Sequence, residues 1–425
     1  MRALIISVNR EEINMRTWPL GAACVAAAAE QSGHDIFFLD LMEVQNPHAE
    51  VSRIIREFDP QVIGLSIRNV DDQSMADTKF FLGEVKDLTS LLGRLTKAPI
   101  VLGGAGYSIF PSAMLKYLDA DMGIQGEGET AFVELLDRLE RGDRLVGLPG
   151  LYLPGAGLQG ERLFDKDLDS LPLPGARFLP DSYFQDNEEF WLPVQTRRGC
   201  PFRCSYCSTA TIEGCLFRKR TPEKLVRWLG QWADRGAHRY HFVDNTFNIP
   251  PSYSKELCRQ LVQARLNGKW RCIVYPFRVD EELARLMAEA GCAEVSVGFE
   301  SGSAQVLSGM NKRFRAEDVR NVCETLGMCG ISRMGFLMLG GPDETKESAL
   351  ESLEFADSLN LECVKVTVGI RIYPFTALAR TAVDQGMVSP EDDLLFPRFY
   401  MARGLGDWLR ETVDRWISTR PNWTR

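Results

Sequence analysis

Along the first 140 residues, short apolar runs alternate with helix-length amphipathic stretches. The runs are Ala3–Val8, Ile36–Leu39, Ile63–Ile67, Ile100–Leu102 and Met122–Ile124, and Leu20–Gln31 is the first of the helix-like segments between them. Short apolar strands separated by helical crossovers predict βαβ units, and hence a parallel, doubly wound Rossmann-like (flavodoxin-like) α/β domain over 1–140. Ligands of such sheets lie beyond the carboxyl ends of the strands. The loops there are Ser66-Ile-Arg68-Asn69, Gly103-Gly104-Ala-Gly106 and Gln125-Gly126-Glu127-Gly128-Glu129, all rich in glycine or small polar groups.

Residues 141–193 lose the pattern. Pro149, Pro154, Pro172, Pro174 and Pro180 are interleaved with glycines there, which predicts a connector. The rhythm then resumes, with strands expected near Leu192–Arg197, Tyr240–Val243, Cys272–Pro276, Glu294–Gly298, Met334–Leu339 and Val364–Ile372, and helices such as Pro222–Ala233, Glu281–Ala290 and Lys346–Ser358. Six βα units over 194–395 predict an open, partial (β/α)6 TIM-type barrel with its site at the carboxyl ends of the strands. In the last segment, 396–425, Leu405, Leu409, Val413 and Ile417 recur every fourth residue. That spacing predicts an amphipathic helix packed on the body; a partner-binding or substrate-gating tail is the alternative.

Charge narrows the partners. With 49 basic and 58 acidic residues the net charge is −9, which disfavours bulk nucleic-acid binding. The longest apolar run near the N-terminus, Trp18 to Ala29, is too short to cross a bilayer, and Met1–Val8 has no signal-peptide character, so no transmembrane segment and a cytoplasmic location are expected. Of the 11 cysteines only Cys24 precedes position 200. Without a secretion signal, such thiols are expected to be reduced, and some to be metal ligands.

The strongest chemical signal is Cys200-Pro-Phe-Arg-Cys204-Ser-Tyr206-Cys207, a loop directly after an expected strand. Three thiolates can each bind one iron of a cubane cluster and leave the fourth iron open, since full protein ligation takes four. A zinc site would use paired Cys-x-x-Cys units or added histidine, and His34, His48, His238 and His241 have no such spacing. Cys215, Cys258, Cys272, Cys292, Cys323, Cys329 and Cys363 show no ligand spacing and read as small buried hydrophobes.

This loop, ahead of a βα array whose strand ends carry Asp244-Asn245, Gly298-Phe-Glu300-Ser301, Gly340-Gly341-Pro and Arg371-Ile-Tyr373-Pro, resembles the radical S-adenosylmethionine (SAM) superfamily. The resemblance implies a [4Fe–4S] cluster on Cys200, Cys204 and Cys207, SAM chelated to the open iron, release of a 5′-deoxyadenosyl radical, and an external electron donor such as flavodoxin or ferredoxin. It assigns Asp244 and Asn245 to the SAM aminocarboxylate, Glu300 and Ser301 to the ribose hydroxyls or amine, and Tyr206 with the backbone around Gly340 and Gly341 to the adenine edge. Arg371 and Tyr373 would line the site at the sixth strand. Phe375 stands where relatives commonly carry glycine, which implies a differently shaped wall there.

Joined to such a barrel, the first domain resembles the cobalamin-binding domain of the B12-dependent, class B radical SAM enzymes. The matching text is Pro19-Leu-Gly21, Gly33-His-Asp35, Asp59-Pro60 before Val62–Ser66, Leu102-Gly103-Gly104 and Gly126-Glu127-Gly128-Glu129. A dinucleotide-type Gly-x-Gly-x-x-Gly is missing after the first strand. The implied cobalamin contacts are Ser66, Arg68, Asn69, Asp71, Gly103, Gly104, Gly106, Ser108, Gly126, Glu127 and Gly128. No Asp-x-His-x-x-Gly occurs, so a cobalt without a histidine below it is expected. Arg68 has no lone pair to donate and, aimed at the corrin, would disfavour a lower ligand; a salt bridge to Asp71 or Asp72 is the alternative.

The activity this resemblance implies is methylation of an unactivated carbon or phosphorus centre in a small-molecule, lipid or peptide substrate. Cyclisation or ring contraction without methyl transfer is the alternative within the family, and a non-enzymatic cobalamin or iron–sulfur sensor is the alternative outside it. Methylthiotransferases need several N-terminal cysteines, and Cys24 alone does not supply them.

Overall fold

A computed structural model describes residues 1–12, 16–179, 183 and 190–425. Seven strands form the first sheet: β1 (Arg2–Ser7), β2 (Asp35–Asp40), β3 (Val62–Ser66), β4 (Ile100–Gly103), β5 (Met122–Ile124), β6 (Leu151–Leu153) and β7 (Gly157–Leu158). Their order is β2-β1-β3-β4-β5-β6-β7, with β1 to β5 parallel. The apolar runs explain the inner strands: Ala3, Leu4, Ile6, Val62 and Ile63 are fully buried, with helices on both faces excluding water. The reversal of order between β1 and β3 makes a switch point, where the loops at the strand ends splay apart and open a crevice.

The connector expectation for 141–193 needs correcting at Leu151–Leu158. Those residues form an antiparallel hairpin on the edge of the first sheet, turned at Gly155 and Gly157, both at positive φ. Turn residues that read as a break in the chain are the turn of an added hairpin. Pro180 and all of 181–189 except Tyr183 lie outside the described residues.

The second half holds β8 (Leu192–Val194), a short ribbon of β9 (Arg197–Arg198) with β10 (Arg218–Lys219), then β11 (Arg239–Phe242), β12 (Lys269–Val274), β13 (Cys292–Glu300), β14 (Ser332–Leu339) and β15 (Cys363–Val368). A second ribbon pairs β16 (Ile370–Arg371) with β17 (Phe399–Tyr400), and β18 (Trp423–Thr424) ends the chain. The main sheet runs β8-β11-β12-β13-β14-β15-β18, all parallel, which is the open barrel of six βα units plus one terminal strand. The 396–425 segment packs on the body, as the helix expectation has it: Leu405, Leu409 and Val413 are buried at helix Gly406–Ser418, and β18 adds to the sheet. No helix among the described residues is long and apolar enough to cross a membrane.

Candidate active site

Cys200, Cys204 and Cys207 are half-buried in one loop that leaves the barrel by way of β9. The loop is held from several sides. Cys200 N–H donates to Gly214 O (3.1 Å), Ser205 N–H to Met310 O (3.0 Å) and Leu378 N–H to Ser205 O (2.8 Å). The Asn311 amide donates to Phe202 O and Arg203 O, and the Phe202 ring stacks on Tyr275 at 4.0 Å. Burial pushes the Cys200 thiol up to about 11 and raises Cys204. Thiols that resist ionisation alone are stabilised as thiolates by metal coordination, so ligation and deprotonation are coupled. Among the described residues the cysteine sulfurs are not gathered within 4.8 Å of one another, the clustering a single ion needs. Three half-buried thiols on one short loop are a donor set for three corners of a cubane cluster.

Beside the loop lies a buried group that sequence spacing did not suggest. Lys312 Nζ donates to Tyr206 Oη (2.9 Å) and Glu300 Oε1 (3.1 Å), and Tyr206 Oη donates to the same Glu300 oxygen (2.9 Å). Burial works against the ammonium, yet the Glu300 carboxylate and the Tyr206 hydroxyl outweigh it and keep Lys312 charged. Its charge acts on the Cys204 thiol, partly offsetting the effect of burial. Asn245 joins from β11: it donates to Glu213 Oε2 (2.6 Å) and accepts from the Thr209 hydroxyl (3.2 Å), which lies 3.2 Å from Cys207 Sγ. Tyr206, Glu300 and Asn245 are thus brought to the cysteine loop.

Four barrel expectations are corrected. Asp244 is wholly buried and already engaged: Oδ1 accepts from Thr196 N–H (2.7 Å) and Arg197 N–H (3.1 Å), and Oδ2 from the Thr196 hydroxyl (2.6 Å), with Arg197 alongside. It braces the approach to the cysteine loop, with most of its acceptor capacity taken by Thr196 and Arg197. The Ser301 hydroxyl is buried against Ser352 Oγ (2.8 Å) and accepts from Ser303 N–H. Gly340 and Gly341 both donate their N–H to Glu344 Oε2, and Gly340 O accepts from Ala402 N–H, so that backbone is spent within the protein. Arg371 is buried and paired with Asp71 of the other half (2.9 Å), which takes both from the roles assigned to them.

Glu344 carries a pH signature. Burial pushes its carboxyl up to about 7 from 4.5, only partly offset by the two glycine N–H groups. The folded chain holds a proton that the unfolded chain releases, so this group's stability contribution is full below pH 4.5 and is lost as pH rises through about 7. Glu344→Gln keeps a carbonyl for both N–H donors and removes the titration. The variant is expected to show a smaller drop in urea midpoint between about pH 5 and about pH 8 than the parent.

In the first domain, the switch point opens into a cavity of about 330 Å³ lined by Val8, Asn9, Leu41, His48, Arg68 and Asn69, among others. Ser66 ends β3 at its rim. Among the described residues Arg68 has no hydrogen-bond or ion-pair partner, and desolvation alone lowers its pKa. The salt-bridge alternative is overturned: Asp71 is paired with Arg371, and Asp72 caps Ser74 N–H. Of the four histidines, His34 is paired with Asp137, His238 bonds Gly236 O, His241 faces the barrel interior beside Arg271, and His48 shares the cavity with Arg68.

Gly103 leaves open space beyond β4, whereas Gly104, at φ +95°, sits so close to β3 that a Cβ would lie 2.6 Å from Ile67 O. Gly106 presses on Arg68 O in the same way, and Gly128 on Val25. The Ser108 hydroxyl accepts from Gly126 N–H (2.9 Å) and ties the β4 and β5 loops together. Of these glycines only Gly103 faces open space; Gly104, Gly106 and Gly128 instead allow close packing of the strand-end loops. Glu127 is corrected: it is buried in an ion pair with Arg218 and lies 3.6 Å from Arg198, while Glu129 takes Arg198 bidentately. These pairs fasten the glycine loop to the strand that leads into Cys200, and helix Ala105–Ile109 packs on helix Thr209–Glu213 just beyond Cys207.

Two family models match the chain: the radical SAM superfamily over residues 194–356 and the B12 binding domain over 6–136. An uncharacterized methyltransferase of Pyrococcus horikoshii is 27% identical over 376 residues, covering 87% of this chain and 79% of the relative. The tryptophan 2-C-methyltransferase of Streptomyces laurentii is 25% identical, covering 90% and 75%. Among solved structures, the radical SAM methyltransferase TsrM of Kitasatospora setae, with cobalamin and a [4Fe–4S] cluster bound, superposes with a TM-score of 0.87 at 20% identity, covering 100% of this chain and 90% of that one. At that identity the superposition speaks for the fold.

Proposed function

The chain belongs to the radical SAM superfamily, with a B12-binding domain ahead of its barrel, and from that premise we propose that it is a cobalamin-dependent radical SAM methyltransferase. Its substrate is a small molecule methylated at an unactivated carbon or phosphorus centre. The carrying observation is the juxtaposition, across the buried Glu129–Arg198 and Asp71–Arg371 pairs, of a three-thiol loop and a strand-end cavity lined by the unpaired Arg68. Methyltransferases among the relatives support this reading.

When bound, the cluster supplies an electron to the sulfonium of SAM and the corrin relays a methyl group. The chain's own residues do the rest. Cys200, Cys204 and Cys207 bind three irons and leave one for SAM. Lys312, held charged against Glu300 and Tyr206, places a cation beside Cys204. Arg68 would present the corrin with a cation that has no lone pair to donate, which would disfavour a protein ligand on that side. The electron paramagnetic resonance spectrum of the bound Co(II) form checks this: no nitrogen superhyperfine splitting is expected, and splitting would show a nitrogen ligand, with His48 and His241, whose imidazole feels the Arg68 charge, as the residues to replace.

The function itself is tested by anaerobic reconstitution with iron, sulfide and hydroxocobalamin. One [4Fe–4S] cluster and one corrin per chain are expected, with the corrin absorption bands retained through gel filtration. Failure to retain either removes the proposal.

A further inference from the structure

The loop from β3 to helix Leu82–Leu95 carries Arg68 and Asn69 at the cavity and, three residues on, Asp71, whose side chain is 1% exposed. Its partner Arg371 is 2% exposed and stands at the end of the sixth barrel strand, 300 residues away in sequence. Arg371 Nε donates to Asp71 Oδ2 (2.9 Å), Nη1 to Ile372 O (2.7 Å) and Nη2 to Leu394 O (2.9 Å), so the guanidinium is fixed on three sides. Asp71 Oδ1 accepts from Gln73 N–H, and Met75 lies so tightly on Gly369 that a Cβ there would be 2.3 Å from its sulfur. Phe80 closes the loop against Phe396, with ring centroids 5.0 Å apart.

The same barrel segment also touches the cysteine loop. Leu378 N–H donates to Ser205 O, between Cys204 and Cys207. Tyr373 packs under the Arg371 guanidinium at 5.1 Å, and its hydroxyl feels both Asp71 and Cys207. Residues 371–378 therefore grip the loop of one cofactor and the loop of the other. A buried ion pair is a weak source of net stability but a strict geometric constraint, because either partner alone is an uncompensated buried charge.

We propose that Asp71 and Arg371 are positioning residues, a latch that sets where Arg68 stands relative to the cysteine loop. The inference rests on the cobalamin reading above. If it is right, loosening the latch acts on the corrin through Arg68. Arg371→Met is expected to weaken hydroxocobalamin binding by about tenfold or more, in the range of other outer-shell losses. Its bound Co(II) spectrum is expected to depart from the parent's, in the same direction as the change expected of Arg68→Ala. Arg371→Lys, which keeps the charge, should restore much of the parent spectrum. Asp71→Asn with Arg371→Met removes both charges and serves where the single variant does not fold; it should show the same spectral shift. Arg420→Met, which breaks the Asp357–Arg420 pair of the terminal segment, away from both loops, should leave the Co(II) spectrum unchanged.

The latch is overturned if Arg371→Met and the double variant keep the parent spectrum while Arg68→Ala changes it, or if Arg68→Ala itself changes nothing. Failure of the parent protein to bind corrin would be a different result, and would instead remove the functional reading on which the latch rests.

Discussion

Replacing Cys200, Cys204 and Cys207 together with alanine is expected to abolish iron and sulfide binding and, with it, all reductive cleavage of SAM. The expectation follows from the donor set. Of the remaining cysteines, Cys24, Cys258, Cys272, Cys292 and Cys323 are buried, and burial pushes Cys24 and Cys323 up to about 12. A thiol that far from ionisation inside a core is inert; Cys215, Cys329 and Cys363 are half-buried, which corrects the expectation that they are buried, and they lie outside the three-cysteine loop. Iron analysis and absorption near the charge-transfer band of the reconstituted triple variant check it; iron and sulfide at parental stoichiometry would place the cluster elsewhere. The variant should fold, since the loop is held by Asn311, Ser205 and Phe202 rather than by its thiols.

The second large effect is structural. Asp244→Ala leaves Arg197 buried beside nothing of opposite charge and orphans the N–H groups of Thr196 and Arg197. Breaking a buried pair in this way costs about 3–5 kcal/mol. The cluster-free, reduced protein should therefore show a clearly lower urea midpoint, with Asp244→Asn losing less because an acceptor remains. Had Asp244 served SAM directly, cluster-free stability would be unchanged and only SAM affinity would fall. The two readings thus separate on a protein that contains no cofactor at all.

The difference between those readings shows where sequence runs out. Periodicity located the parallel strands because an apolar run buried on both faces is a local property, and three cysteines in eight residues are a local ligand set. Burial of polar groups is not local. Asp244 and Ser301 stand at strand ends, where a free carboxylate or hydroxyl is as plausible as one consumed by Thr196 or Ser352, and only the packing decides. Glu127 and Glu129 look like cap residues ahead of a helix, yet Glu129 meets Arg198, 69 residues later. Lys312 follows Asn311 and precedes Arg313 in what reads as a solvated charged turn. Its contact with Tyr206 is made 106 residues away, by a fold that no local pattern announces. Arg68 was legible as chemistry because an arginine in a glycine-poor strand-end loop stands out; its freedom from Asp71 was not.

The central claim is that the two halves form one methyl-transfer machine. Its most direct test is anaerobic incubation of the reconstituted protein with a strong one-electron reductant and SAM labelled in the methyl group, with and without bound corrin. The account predicts S-adenosylhomocysteine up to about one equivalent per bound corrin in the absence of substrate, none without corrin, and 5′-deoxyadenosine that depends on the three cysteines. Deoxyadenosine alone, with the methyl group left on methionine whether or not corrin is bound, would contradict methyl transfer and assign the chain to non-methylating radical chemistry.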